Sequence, residues 1–399
     1  MTHRVLSVPI FTGLTRPVSG SQARLLGLND QLRRLCYDNF VLEDAQFEEQ
    51  QDQDHGVVYH YREFKPFGRT LSILRDLNPS YILTLVKVLR RERICLVQLS
   101  HPCGFIAAKF AATLSRRGTP LVYDAHNVGI EVLRESLEGA DQAAAFLQPL
   151  VTALVDFLER LVCKKLANKV FAVSERDRLA LQARHQLAPG KIVVIPSGCI
   201  IRHGPTEAEK AFARQKLGID ANKTVAIFHG YFQYPPNREA FDWIVEEIAP
   251  RIGQYDTDLL FLIGGTGAPR FRRDNVVSLG FIPNLDSFLA VADIAIVPIS
   301  RGSGTRLKVL EYMSMGLPIV AMEKAIEGID LVDGQSIFIS GNELDEFVRT
   351  LKRVLASRDA WGPVGRHARQ VAVQSYDWNV IGQKLDEVYQ SILRGVGCN

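Results

Sequence analysis

Between Arg301 and Val320 the chain reads RGSGTRLKVLEYMSMGLPIV, a run whose residue types suit a charged ligand. Gly302 and Gly304, on either side of Ser303, let a backbone approach a bound group closely. Free N–H groups at the start of the helix that follows, with the positive end of its dipole, favour a phosphate. Thr305 is a possible N-cap for that helix. Arg306 and Lys308 add positive charge against a pyrophosphate. Glu311, two turns in, is a carboxylate that only accepts hydrogen bonds, and the vicinal hydroxyls of a ribose would suit it. Cradle and acceptor together describe a nucleoside-diphosphate site. The alternative is an ordinary capped helix with a solvated Lys308–Glu311 pair at i,i+3, in the less favourable charge order.

Three other loops carry chemistry. In PVSGSQAR (17–24), Gly20 and Ser21 could present N–H groups to the same phosphates, with Arg24 in the first helical turns; a helix cap with a solvated arginine is the plainer reading. YDAHNVGIE (123–131) ends a strand and turns His126 and Asn127 toward the ligand. A histidine there can donate to a sugar hydroxyl or receive a proton, or be structural. Asp124 and Glu131 are possible acids with no partner evident from spacing. LIGGTGAP (262–269) is glycine-rich, but Pro269 and RFRR follow where a dinucleotide fingerprint needs a helix. A nicotinamide-dependent dehydrogenase is therefore a remote reading.

These loops need elements to hold them. Apolar runs alternate with helical patterns: strands are expected at 4–10, 94–99, 119–125, 169–173 and 191–196, then at 224–230, 259–265, 275–281, 293–299 and 318–322. Helices are expected between them, with Asn237 as an N-cap and Phe241, Ile244, Val245 and Ile248 on one helical face. Fully apolar strands joined by helices imply parallel sheets covered on both faces, and two such series imply two doubly wound α/β domains. Ligands bind at the carboxyl ends of such strands, so two facing sheets would place the site in the cleft between them. The 399 residues, 47% apolar, are ample for two cores, and a net charge of +3 does not point to nucleic acid. The six cysteines lack metal-ligand spacing, which fits a reducing compartment. No signal peptide is read at the start, and AAAFLQPLVTALVDFL (143–158) is short for a membrane span.

FHGYFQYPPNREAFDWIVEEIAPRI, LGFIPNLDSFLAVADIAIVPI, SGTRLKVLEYMSMGLPIV and EGI resemble consecutive blocks of glycosyltransferase family 4, in a branch with a GTRLK loop. YDAHN, SGSQAR and YDWNVIGQKLDEVYQSIL (376–393) resemble its N-terminal domain and closing helix. The resemblance implies the GT-B fold: two Rossmann-like domains facing across a cleft, an acceptor-side domain at 1–200 and a nucleotide-sugar-binding domain at 201–375. A last helix, 376–399, would cross back onto the first. It implies a retaining, hexosyltransferase-type enzyme that takes a nucleoside-diphosphate sugar as donor and needs no metal or other cofactor. Glu311 would hold the ribose, and loop 302–305 the phosphates and donor sugar. Arg306 and Lys308 would neutralise the leaving diphosphate, and His126 would hold a sugar hydroxyl or serve the reacting centre. Ser303 stands eight residues before Glu311, where the family often has a second glutamate contacting the donor sugar. HGYFQYPPN replaces the usual Arg/Lys pair, and Ser19 stands for the first glycine of a Gly-Gly pair. A nucleotide-sugar epimerase and a binding protein that has lost catalysis remain open.

Residues 62–93 hold eight Lys/Arg (62, 65, 69, 75, 87, 90, 91, 93) against Glu63, Asp76 and Glu92. PSYILTLVKVLRR within it is an amphipathic basic helix, either a solvated face or a contact with anionic lipid. The second reading implies a lipid-linked sugar or glycolipid as acceptor, and a cytoplasmic protein at the inner face of the membrane.

Overall fold

The computed structural model describes residues 3–9, 20–45, 56–63, 72–115, 118–126, 142–302 and 304–395. The chain divides into two units, Met1–Ser197 with Trp378–Asn399, and Gly198–Asp377.

The first unit is built on strands β1 (Arg4–Val8), β2 (Asp38–Asp44), β3 (Val57–Tyr61), β4 (Leu96–Leu99), β5 (Leu121–Ala125), β6 (Lys169–Ala172) and β7 (Ile192–Val194). All pair in parallel, in the order β3-β2-β1-β4-β5-β6-β7. Leu6, Val97, Leu121 and Val170 pack on one face with Tyr81 and Leu85 of the Pro79–Arg91 helix and Phe105 and Ala108 of the Phe105–Leu114 helix. On the other face Val5, Leu96, Val122 and Phe171 meet Leu28 and Leu32 of the Gly20–Arg34 helix. Ile381, Leu385 and Tyr389 of the Trp378–Gly395 helix complete that layer, and burying each aliphatic side chain stabilises by about 1.5–3 kcal/mol.

The second unit holds β8 (Thr224–His229), β9 (Leu259–Gly264), β10 (Arg270–Arg273), β11 (Val276–Leu279), β12 (Ile294–Val297), β13 (Ile319–Met322) and β14 (Phe338–Ser340), in the order β10-β11-β9-β8-β12-β13-β14. Only β10 runs antiparallel to its neighbour. Its core runs through both sheet faces, and Phe241, Ile244, Val245 and Ile248 are buried in it, on the helical face that their spacing anticipates.

Four strands were not anticipated. β2 (DNFVLED) carries Asn39, Glu43 and Asp44 into the interior, so it lacks an apolar run. The outermost strands β3, β10 and β14 are short, and β10 is four largely exposed residues, RFRR. Because β10 follows directly on LIGGTGAP, that glycine cluster opens no helix.

Candidate functional site

In the second sheet the chain leaves β8 toward β9 and later crosses to β12 on the opposite side. The loops after β8 and β12 therefore part at a topological switch point, where open α/β sheets bind ligands. The first loop starts at His229 and leads into the Pro235–Trp243 helix; the second carries Gly302 and Gly304 into the Leu307–Met315 helix. Gly302 has a φ of 98°, and a Cβ there would lie 2.5 Å from the Tyr234 hydroxyl and 3.0 Å from Pro236 Cγ. Only glycine permits both that backbone and that approach. Gly265, after β9, closes in similarly: a Cβ there would sit 1.9 Å from the Gly230 carbonyl oxygen.

The helix begins at Leu307, with Arg306 as its cap and no side-chain hydrogen bond to its free N–H groups. Thr305 is therefore not the N-cap expected from sequence, and its Oγ1 is buried with no hydrogen-bond partner among the described residues. Arg306 turns back to stiffen its own loop, donating to the Gly304 carbonyl at 2.5 Å and the Arg301 carbonyl at 3.1 Å. Its side chain is nonetheless cationic at the helix start, which keeps positive charge where a phosphate would lie.

Lys308 and Glu311 do not form the solvated pair that their spacing allows. Lys308 is buried; its Nζ donates to Asn237 Oδ1 at 2.7 Å and lies 4.0 Å from the Phe228 ring centroid. Burial first, then the neighbouring Arg306 charge, hold its pKa well below the ordinary lysine value, against an opposing pull from Glu311. Asn237 is in the first turn of its helix, behind the cap residue Tyr234, and its amide ties Lys308 to the Tyr231 carbonyl. Glu311 instead meets His229, whose Nε2 is 2.8 Å from Glu311 Oε2. His229 Nδ1 lies 2.9 Å from the Tyr312 hydroxyl, which also accepts from the His229 backbone N–H at 3.0 Å. The carboxylate is about a quarter exposed, and its Oε1 has no hydrogen bond to any described residue.

In the first unit, Gly20 and Ser21 open the Gly20–Arg34 helix. Arg24 is not solvated but 1% exposed: its Nε lies 3.2 Å from both oxygens of Asp124, and its Nη2 2.6 Å from Oδ1. Asp124, for which spacing indicated no partner, also faces His126 Nε2 at 3.1 Å and accepts from Gln98 at 3.1 Å. Burial alone would raise the Asp124 carboxyl, but the charges of Arg24 and His126 hold it well below the usual carboxylate range. Gln98 in turn accepts from Tyr389 of the last helix. An ionised Asp124 keeps a proton on His126 Nε2.

His101, just after β4, was passed over in the sequence, although a histidine directly after the apolar run ICLVQL was the available signal. Burial, Arg75 and His126 push its pKa down to about 3, so it is neutral. The Cys103 N–H donates to its Nδ1 at 3.1 Å, which leaves its own proton on Nε2. His229 was likewise missed, because it reads as the tail of an apolar strand.

The structure thus brings Gly302, Gly304, Thr305, Arg306, Lys308 and Glu311 together in the second unit, while Gly20, Ser21 and His126 belong to the first. Ser303, Asn127 and Glu131 lie outside the described residues.

Residues 18–201 match the sequence model of Glycosyltransferase Family 4, and residues 223–357 that of Glycosyl transferases group 1. The D-inositol 3-phosphate glycosyltransferase of Rhodococcus jostii is 24% identical over 310 residues, 73% of this chain and 64% of that protein. The enzyme of the same name from Mycolicibacterium vanbaalenii is 27% identical over 66% of this chain and 59% of its own length. The chain thus spans less than two thirds of either relative. Among solved structures, sucrose-phosphate synthase from Thermosynechococcus elongatus superimposes with a TM-score of 0.74 at 14% identity, covering 98% of this chain and 100% of that one. Anabaena Alr3699/HepE in complex with UDP gives 0.70 at 18% identity, covering 97% and 100%. Two seven-stranded, mainly parallel sheets and these neighbours make the fold GT-B. With a matching model over most of each unit, the chain belongs to the family 4, group 1 glycosyltransferases.

Proposed function

We propose that the protein is a retaining, metal-independent glycosyltransferase that moves a sugar from a nucleoside diphosphate to a glycan or lipid-linked acceptor. The observation that carries this reading is the pairing, on one short helix, of an uncapped N-terminus with the open Oε1 of Glu311 just over one turn on. The helix start, Arg306 and Lys308 take the diphosphate, Glu311 the ribose, and the 302–305 loop the donor sugar. As the glycosidic bond breaks, negative charge grows on the leaving phosphate, and fixed positive groups stabilise that state most. The acceptor hydroxyl then attacks from the face the diphosphate leaves. His126, held by Asp124, is assigned to a sugar hydroxyl or to proton transfer at the reacting centre. Gly20 and Ser21 add backbone donors for the phosphates.

Thermal-shift screening with UDP-, GDP-, ADP- and TDP-sugars identifies the donor, since a ligand of the native state raises apparent stability. UDP-sugars come first, because the Anabaena neighbour holds UDP. A phosphorylated cyclitol is the first acceptor to try, given the activity named for the relatives. Transfer with the anomeric configuration kept, and undiminished in EDTA, is the expected outcome. Glu311→Ala should weaken nucleotide binding tenfold or more; unchanged affinity by calorimetry would remove Glu311 from the ribose. Turnover without acceptor would favour an epimerase, and binding with neither transfer nor hydrolysis a lapsed enzyme.

A lipid-linked acceptor is favoured by the face of two packed helices. On Pro79–Arg91, Leu83 is 69% exposed beside exposed Lys87 and Arg90; on Phe105–Leu114, Phe110 is 55% exposed beside Ile106 and Lys109. The two acids of residues 72–115 are both engaged: Asp76 accepts from the Gly104 and Ala107 N–H groups, and half-buried Glu92 accepts from Tyr59 and pairs with exposed Arg91. Arg75 does not belong to this face, being buried against Glu63, and Lys65 and Arg69 lie outside the described residues. No helix among the described residues is long and apolar enough to cross a membrane. Co-sedimentation with anionic vesicles, lost in salt, is expected; equal recovery with neutral vesicles would dismiss the membrane contact.

A further inference from the structure

Glu311 and Lys308 are one helical turn apart on the same helix, and opposite charges at that spacing attract. Paired, they would cancel the two groups the donor site needs: a cation for phosphate and a carboxylate for ribose. The end of β8 and the first turn of the Pro235–Trp243 helix keep them apart. Asn237 holds Lys308 at 2.7 Å, and His229 holds Glu311 Oε2 at 2.8 Å.

Hydrogen-bond accounting defines how His229 does this. An ionised Glu311 cannot donate, so Nε2 of the imidazole carries the proton between them. With Nε2 carrying that proton, the neutral form of the ring has Nδ1 as an acceptor. The Tyr312 hydroxyl accepts from the His229 backbone N–H, so its own proton is free to donate to Nδ1. Tyr312 is fully buried and its pKa is raised well above the ordinary value by that burial, so the proton stays on it. One carboxylate oxygen is thereby committed to the protein, and the other, Oε1, has no hydrogen bond to any described residue.

We infer that His229, oriented by Tyr312, is a positioning residue that presents Glu311 Oε1 to a ribose diol and so sets the preference for ribonucleotides over 2′-deoxyribonucleotides. This deepens the proposed donor site and rests on the ribose role of Glu311. Without His229 the Glu311 side chain is free to swing toward Lys308, so the loss falls on recognition of the diol rather than on the phosphates alone.

Calorimetry with UDP, GDP and ADP, their 2′-deoxy counterparts, and inorganic pyrophosphate tests it. The wild-type protein should favour the best-bound ribonucleotide over its deoxy form by about tenfold or more, the scale of one hydrogen bond to a charged group. His229→Ala should bring that ratio to within about threefold of unity, a loss on the same scale. His229→Gln, which keeps a donor, should restore much of it, and Tyr312→Phe should give an intermediate ratio. Pyrophosphate affinity should fall far less than ribonucleotide affinity in each variant. If His229→Ala fails to fold, as judged by circular dichroism, Tyr312→Phe decides. Wild-type discrimination retained unchanged in His229→Ala and Tyr312→Phe overturns the inference and leaves the donor site standing. Wild-type binding without discrimination overturns the ribose role and the inference together; no binding of any nucleotide overturns the donor site as well.

Discussion

Lys308 is a cation whose surroundings work against its charge. Burial and Arg306 lower its pKa well below the ordinary value of 10.5. A bound diphosphate supplies the counter-charge it lacks and raises that pKa again. Nucleotide binding should therefore take up a proton at pH values between the depressed and restored values, seen as a buffer-dependent binding enthalpy and lost in Lys308→Met. The same shift has a stability consequence in the free protein. Below the ordinary value the unfolded chain binds a proton that the folded one releases, so the penalty this group places on folding is relieved as pH rises through that window. Asp124 gives the same sign of pH dependence, in the acid range and as a stabilising group. Its carboxyl is held below the usual range, so its contribution is present above the unfolded value of 3.8 and is lost as pH falls toward the folded value. Asp124→Asn leaves the Arg24 guanidinium buried without its counter-charge and should cost about 3–5 kcal/mol in urea unfolding. None of these pairings was legible in the sequence, since Arg24 and Asp124 are a hundred residues apart. Lys308 and Glu311, three apart, are spaced to pair and instead take separate partners.

At the scale of elements, what the sequence made legible were the apolar parallel strands and the loops that end them. The Gly302–Glu311 segment was readable because a strand, a glycine turn and a helix follow one another without a long-range partner. Helix starts were read less well. Thr305 and Asn237 both have the side chain of a cap, yet their helices are capped by Arg306 and Tyr234, and Asn237 serves Lys308 instead. A local propensity yields when a buried charge needs a hydrogen bond. Helix-to-helix packing was also invisible. A Cβ on Gly27 would lie 2.2 Å from the Trp378 ring, and one on Gly382 2.8 Å from Gln31. The Gly20–Arg34 and Trp378–Gly395 helices therefore touch where each lacks a side chain. Gly27→Val should force them apart, lowering stability by about 1–3 kcal/mol in a thermal melt. A melt unchanged from wild type would show that the Trp378 ring is free to move aside.

On the scale of the whole molecule, the chain leaves the first unit at Ser197, builds the second, and returns at Trp378 to finish the first. Each unit encloses its own hydrophobic clusters, and Gly302, Gly304, Arg306, Lys308 and Glu311 belong to the second. Hydrogen exchange with and without the donor nucleotide should accordingly slow at 229–237 and 302–311, while the buried amides of β6 and β7 stay as they were. Slowing confined to the first unit would assign the nucleotide to the wrong set of residues.

By itself the sequence determined the alternation of apolar strands and helices, the family, and the loop in which phosphate chemistry is concentrated. Each of these depends on periodicity or on neighbours within one turn, which a linear string preserves. Only the tertiary structure decided which charges meet. It set His229 against Glu311, Asn237 against Lys308 and Arg24 against Asp124. Burial makes an unpaired charge or polar group costly, and the partner is supplied by whichever strand end or helix the fold brings near, not by the adjacent residue.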